Sequence, residues 1–139
     1  MKNDLRAVFD TGVLVGAVLL PHSLPRRAFD SIEQAGRLLL SEATLDELDS
    51  VLRRPKFDKY VSERDRLEFL VALVRQAEVV PITFQISECR NPSDNKFLEL
   101  AVSGGAGQIV SGDADLLVLH PFRGIDILRP AEFLEQLQE

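Results

Sequence analysis

The residues of this chain that could do chemistry are acidic, and they are scattered along the sequence. Asp10 stands in FDTGVLV, directly after a short apolar run, and Asp94 stands in NPSDNKFLELA. Asp113 and Asp115 share VSGDADLL, whereas Glu47 falls at the margin of the apolar stripe that TLDELDSVL would form as a helix. Each acid also has an ordinary structural explanation, because acids cap helices and occupy turns.

Taken together, these acids indicate a site for hard divalent cations. Mg²⁺ takes oxygen ligands, commonly one or two carboxylates completed by water and phosphate oxygens. Metal ions held in this way can clamp the attacking and leaving oxygens of a phosphodiester. His22 and His120 are isolated, so the sequence offers no zinc pattern, and the glycines at residues 104–107 lack the spacing of a dinucleotide-binding loop.

The elements that would position the acids alternate between strands and helices. The patterns predict strands at residues 5–10, 37–41, 77–82, 108–113 and 124–128, and helices at residues 24–35, 42–53, 62–78, 92–104 and 131–138. Such alternation predicts a parallel sheet covered by helices on both faces, whose ligands bind beyond the carboxyl ends of the strands. Asp10 and Asp113 end two predicted strands and are therefore expected to meet.

Length and composition set further limits. The 139 residues are expected to form one domain over residues 1–139, with 45% hydrophobic residues to supply a core. The net charge of −6, from 22 acids and 16 bases, argues against coating nucleic acid by bulk charge. The negative net charge does not exclude nucleic acid as a substrate, because metal ions held by carboxylates supply positive charge locally.

The same sequence favours a cytoplasmic location. MKNDLRAVFD lacks the layout of a signal peptide, and the apolar run at residues 13–20 is too short to span a bilayer. The single Cys89 cannot form an internal disulfide and is expected to be a buried small apolar side chain, which fits a reducing compartment.

Four segments resemble the successive motifs of the PIN domain family, the ribonuclease fold of VapC-type toxins. They are FDTGVLV, TLDELDSVLRRPKF, NPSDNKFLELA and IVSGDADLL, and the resemblance runs from Val8 to about Leu134. It implies a three-layer α/β/α fold with about five parallel strands, and a Mg²⁺- or Mn²⁺-dependent endoribonuclease that hydrolyses RNA. It also implies a homodimer and a small antitoxin partner that neutralises a toxin.

The resemblance also assigns roles by position. The catalytic acids would be Asp10, Glu47, Asp94 and Asp113. The metal ligands would be Asp10, Asp94, Asp113 and Asp115. Ser111 and Thr11 would organise the site. Arg53, Arg54 and Lys96 are the residues expected to bind RNA, with Lys56 extending the basic cluster that follows the Glu47 helix.

Two departures from the family pattern leave an alternative function open. Gly12 stands where the family usually has Asn, and Asn91 and Ser93 stand where the subgroup often has Asp. Asn could steady the site by hydrogen bonding, whereas Gly has no side chain. The main alternative is therefore a PIN-like binding module with weakened catalysis.

Two other enzyme classes begin with a similar aspartate. A retroviral-type aspartic protease shares Asp-Thr-Gly but needs an all-β fold, whereas helical periods dominate this chain. A haloacid-dehalogenase-like phosphatase needs a second acid two residues after the first, and Gly12 occupies that place.

Overall fold

The computed structural model describes residues 5–138, so residues 1–4 and 139 of the predicted domain lie outside the described part. Strands and helices alternate through it. The strands are β1 (Leu5–Phe9), β2 (Gly36–Leu40), β3 (Glu78–Val79), β4 (Gln108–Val110) and β5 (Asp126–Leu128). The helices are α1 (Thr11–Leu19), α2 (Leu24–Ala35), α3 (Glu42–Leu52), α4 (Glu63–Gln76), α5 (Asn95–Gly104), α6 (Ala114–Leu117) and α7 (Pro130–Gln138). Short 3₁₀ turns at Pro55–Phe57 and Pro92–Asp94 precede α4 and α5.

The strands form one parallel sheet in the order β3-β2-β1-β4-β5. The first strand is central, because Ala7 pairs with Leu38 of β2 on one side and with Gln108 of β4 on the other. All carboxyl ends therefore lie at one edge of the sheet, where side chains distant in sequence come together.

The two faces of the sheet bury alternate residues of β1, β2, β4 and β5. Phe9, Leu40 and Val110 belong to the core under α1, α2, α3, α4 and α7. Val8 and Ile109 belong to the second core, which packs against α5 and α6. This alternation is what a strand buried on both faces requires, and the three-layer α/β/α fold predicted from the sequence is confirmed.

Several elements differ from the sequence prediction. The prediction contains neither α1 nor α6. Five of the nine residues of α1 are buried, so it lacks the one-sided apolar pattern by which surface helices are found, and α6 is only four residues long. The strand predicted at residues 77–82 is wrong in length, because β3 ends at Val79.

The start of α5 and the end of β4 also differ from the prediction. Asn91 caps the 3₁₀ turn, and α5 begins only after Asp94. Likewise β4 ends at Val110, so Asp113 caps α6 instead of ending a strand.

A fully buried arginine holds the segment between α3 and α4. Arg66 is 0% exposed, and its guanidinium donates to the carbonyl oxygens of Leu52 at 2.6 Å, of Arg54 at 3.4 Å and of Val61. It also donates to the Asp58 carboxylate at 3.0 Å. Arg66 thus satisfies the C-terminal end of α3 and fixes the path of the basic segment that follows it.

Across residues 5–138, no helix combines the length and apolar character needed to cross a bilayer.

Candidate active site

An acidic cleft opens at the carboxyl ends of β1 and β4. Its volume is about 290 Å³. The lining residues are Asp10, Thr11, Gly12, Val13, Glu47, Asp94, Phe97, Gly112 and Asp113. The structure therefore brings together all four acids singled out as catalytic, from four separate parts of the chain. Asp115 is not among the lining residues.

Asp10 is the most deeply buried of these acids, at 6% exposure. Its backbone N–H donates to the Val110 carbonyl at 3.0 Å, which extends the pairing of β1 with β4 by one residue. Its Oδ1 accepts from the Val13 N–H at 2.8 Å, and its Oδ2 accepts from the Ser111 hydroxyl. Asp10 is thus both a helix cap and a wall of the cleft.

Burial raises the pKa of Asp10 above its ordinary value. The hydrogen bonds from Ser111 and Val13 oppose that rise, whereas the negative charges of Asp113 and Glu47 add to it. The aspartate is therefore held in one position by two hydrogen bonds, in surroundings that disfavour its charged form.

Asp94 and Asp113 form a close pair of like-charged groups. Burial, a hydrogen-bonding contact with the Asp113 carboxyl and the charge of Asp113 raise the pKa of Asp94 to about 7. The charges of Glu47 and Asp10 act in the same direction. The Oδ2 atom of Asp94 is buried and accepts no hydrogen bond from the described residues. Such an oxygen is stabilised by a shared proton or by a bound cation.

Ser111 connects the two strands that carry Asp10 and Asp113. Its hydroxyl donates to Asp10 and accepts the backbone N–H of Asp113 at 2.9 Å. Asp113 in turn caps α6, since its Oδ1 accepts the Asp115 N–H at 2.9 Å. One hydroxyl thereby fixes two of the carboxylates relative to each other.

Glu47 projects from α3 and is hydrogen-bonded through both oxygens. Lys96 Nζ, from the first turn of α5, donates to Oε1 at 2.7 Å, and the Thr11 hydroxyl donates to Oε2. Partial burial acts to raise the pKa of Glu47, whereas these two hydrogen bonds act to lower it. The positive charges of Lys96 and Arg54 act in the same direction, and the pKa lies below its ordinary value.

The other residues given roles from the sequence lie at the rim of the cleft or outside it. Asp115 lies in the first turn of α6, where its carbonyl accepts the Cys89 thiol at 3.6 Å. Arg53 is half-exposed and pairs with Asp49 at 3.0 Å. Arg54 is exposed, and its charge reaches Glu47.

Sequence reasoning missed the partner of Glu47. It placed Lys96 beside Asp94 as an RNA contact, whereas the structure pairs its ammonium with Glu47 across two helices. The sequence carried one weak signal for this contact. Lys96 stands two residues after Asp94 near the start of a helix, where its side chain can face a neighbouring helix.

The donor set suits a hard cation, although it is not a closed cage. Among residues 5–138, no three acidic, histidine or cysteine side chains converge closely enough to enclose an ion by themselves. Mg²⁺ and Mn²⁺ sites commonly use one or two carboxylates and complete the shell with water and substrate. Asp94 and Asp113, with the unpaired Asp94 oxygen, fit that kind of site.

The fold and the cleft define a class: an α/β protein with an acidic site at the carboxyl edge of a parallel sheet. A family model described as a PIN domain matches residues 6–115. Because that match spans well over half of the sequence, the chain belongs to the PIN domain family, as its four motifs indicated. PIN domains are generally nucleases.

Individual proteins agree with the family match. An uncharacterised protein of Methanocaldococcus jannaschii is 27% identical over 148 residues, covering 99% of this chain and 95% of its relative. VapBC2 of Rickettsia felis, solved with a fragment of promoter DNA, has a chain that matches 88% of this one and 97% of its own length, with a TM-score of 0.61 and 10% identity. A protein of Pyrobaculum aerophilum matches 97% of this chain and 91% of its own, with a TM-score of 0.62 and 14% identity. At these identities the two solved structures support the fold.

Proposed function

We propose that this protein is a Mg²⁺- or Mn²⁺-dependent endoribonuclease and the toxin of a toxin–antitoxin pair. The observation that carries the proposal is the convergence of Asp10, Asp94 and Asp113 in one cleft, where a buried oxygen of Asp94 has no hydrogen-bond partner within residues 5–138. The protein itself leaves the repulsion between these carboxylates uncompensated, and a bound divalent cation would offset it.

In this mechanism Asp94 and Asp113 would hold the metal, and Asp10 would complete the acidic wall. A bound Mg²⁺ or Mn²⁺ supplies the positive charge that stabilises the oxygens of the scissile phosphodiester. Ser111 keeps Asp10 and Asp113 in register through its two hydrogen bonds. Thr11 holds Glu47, which makes Thr11 and Ser111 positioning residues. Asp115 is proposed only as an accessory acid.

Arg53 and Arg54 are proposed to bind the RNA backbone at the rim of the cleft. They follow α3, and the buried Arg66 fixes the segment that contains them. Replacing both by Gln should weaken RNA binding and reduce the slope of log affinity against log salt by about one to two. The matched control replaces Arg64 and Arg75 of α4 by Gln, and an equal loss of slope in both double variants would contradict the assignment.

The proposal includes an antitoxin, a homodimer and a cytoplasmic location. The VapBC2 assembly of Rickettsia felis supports a partner protein by similarity of fold. The single Cys89, which is buried, is compatible with a reducing compartment.

A binding module with weakened catalysis is the second candidate, and Gly12 favours it. The position contributes no side chain to the cleft, although a Cβ there would make only an ordinary contact with Asp10 Oδ1 at 3.7 Å. The backbone therefore accepts a Cβ at this position, and Gly12→Asn is a direct test of whether the missing amide limits activity.

The deciding experiment is cleavage of a mixed RNA pool by the purified protein with Mn²⁺, with Mg²⁺ and with a chelator. Metal-dependent cutting should fall by about a hundredfold or more in Asp10→Asn, because the buried carboxylate is lost. Asp46→Asn, which removes an exposed acid of α3 outside the cleft, should cut like the wild type.

Three other results would each have a definite meaning. Cutting that persists in the chelator or in Asp10→Asn would refute a metal-dependent reaction at this cleft. No cutting by the wild type with restored cutting in Gly12→Asn would favour the weakened module. Mn²⁺ binding without cutting by either protein would favour a binding function.

A further inference from the structure

The Glu47 carboxylate is neutralised by a side chain of the protein itself. Lys96 Nζ lies 2.7 Å from Oε1, and the Thr11 hydroxyl is bonded to Oε2. The pair is well shielded, since the side chains of Lys96 and Glu47 are only 21% and 30% exposed. A cation that needs Glu47 must therefore displace an ammonium group that is already there.

The remaining acids of the cleft are arranged differently. Within residues 5–138, Glu47 is the lining acid that forms an ion pair, whereas Asp94 and Asp113 lie against each other. The negative charge of the cleft thus has two centres. The first centre, Glu47, is compensated by the ammonium of Lys96. The second centre, formed by Asp94 and Asp113, is open to a cation from solution.

Lys96 can leave Glu47 without any change in the backbone. It belongs to the first turn of α5, two residues after Asp94, and its four-carbon side chain bridges from α5 to α3. A divalent cation on the Asp94–Asp113 pair would repel the nearby ammonium and attract the Glu47 carboxylate. Both forces act against the Lys96–Glu47 contact.

We propose that Lys96 is the internal counter-ion of Glu47 and competes with the divalent cation for that carboxylate, which weakens metal binding to the empty cleft. The proposal rests on the metal-dependent function proposed above and adds a regulating residue to it. Lys96 is a positioning residue in this sense, because it acts through Glu47.

Mn²⁺ affinity, measured by titration calorimetry on the whole chain without RNA, tests the competition. Lys96→Met keeps an unbranched side chain but removes the charge, and it should tighten Mn²⁺ binding by about tenfold. Arg54→Met is the matched control, because Arg54 also acts on Glu47 by charge, while the hydrogen bond comes from Lys96. It should change the affinity by about twofold at most.

A double-mutant cycle separates competition from simple removal of charge. In the Glu47→Gln background the carboxylate for which the two cations compete is gone. Lys96→Met should then change Mn²⁺ affinity by about twofold at most. Thermal unfolding of each metal-free variant verifies that the comparison is made between folded proteins.

A spectroscopic readout follows the contact itself. The ¹⁵N signal of Lys96 Nζ should shift as diamagnetic Mg²⁺ is added to the wild type, because the ammonium leaves Glu47. The signal of the exposed Lys56 ammonium should stay in place and serves as the internal reference.

The outcomes separate this proposal from the proposed function. Equal effects of Lys96→Met and Arg54→Met, or an undiminished effect in the Glu47→Gln background, would overturn the competition and leave the metal site intact. Unchanged Mn²⁺ affinity in Lys96→Met would do the same. Absence of Mn²⁺ binding in both the wild type and Lys96→Met would overturn the metal-dependent function and this proposal together.

Discussion

Arg66 and Asp94 are two charged residues with atoms shielded from water, and the protein treats them in opposite ways. The guanidinium of Arg66 reaches three carbonyl oxygens and one carboxylate. The Oδ2 atom of Asp94 has no partner among the described residues, and the charges of Asp113, Glu47 and Asp10 raise the pKa of this carboxyl. The difference separates a charge that holds the fold together from a charge that the fold leaves open for a ligand.

The largest effect on the stability of the fold is expected at Arg66. Arg66→Met removes the donors to three carbonyl oxygens, of which that of Leu52 is buried, and it should lower the free energy of unfolding by about 3 kcal/mol. For a chain of this length that corresponds to a fall of about 10 °C in the melting temperature, measured by circular dichroism.

The matched control for Arg66 lies in the same helix. The side chain of Arg64 is 85% exposed, so Arg64→Met should change the melting temperature by about 2 °C at most. If both variants melted alike, the carbonyl contacts of Arg66 would not be a source of stability. Arg66→Lys, which retains a positive charge without the planar fork, should lie between the wild type and Arg66→Met.

A smaller effect of opposite sign is expected at Asp94. Asp94→Asn keeps the shape of the side chain but removes one of two adjacent negative charges. In the absence of metal at pH 8 it should raise the free energy of unfolding by about 1 kcal/mol, or the melting temperature by about 3 °C. The same variant should lose the stabilisation that Mn²⁺ gives to the wild type.

The pH dependence of this effect follows from the raised pKa of Asp94, about 7 in the folded protein. The unfolded chain ionises near pH 4, so its Asp94 loses a proton before the folded protein does. As the pH rises from about 4 to about 7, the metal-free wild type should therefore lose stability relative to Asp94→Asn. The two proteins should melt alike near pH 4, and a stability advantage that persists there would refute the electrostatic explanation.

The sequence was sufficient to predict the fold class and the meeting of the acids. Strand and helix periods alternate clearly, and Asp10 and Asp113 follow apolar runs that become neighbouring strands. That inference needed only the rule that parallel strands end at one edge. The exact elements that carry Asp94 and Asp113 were less predictable, because a 3₁₀ turn and a four-residue helix are too short to show a hydrophobic repeat.

The charged contacts were beyond sequence reasoning. Arg66 lies in a run of four charged residues at the start of α4, and nothing in that run distinguishes it from the exposed Arg64. The Lys96–Glu47 pair joins residues 49 positions apart on different helices. Both contacts depend on how helices pack, which helical periods alone do not determine.

The central place of β1 in the sheet has a consequence for synthesis of the chain. Val8 pairs with Ile109, and Asp10 meets Ser111, 101 residues later. On a ribosome, β1 emerges before β4 but must wait for it, because two strands are made between them: β2 covers only the other side of β1, and β3 pairs with β2. A growing chain therefore carries Asp10 without Ser111 until β4 and the residues that follow it have been made. The acidic centre is complete only when those residues are in place, and a truncated product that ends before β4 has no assembled site.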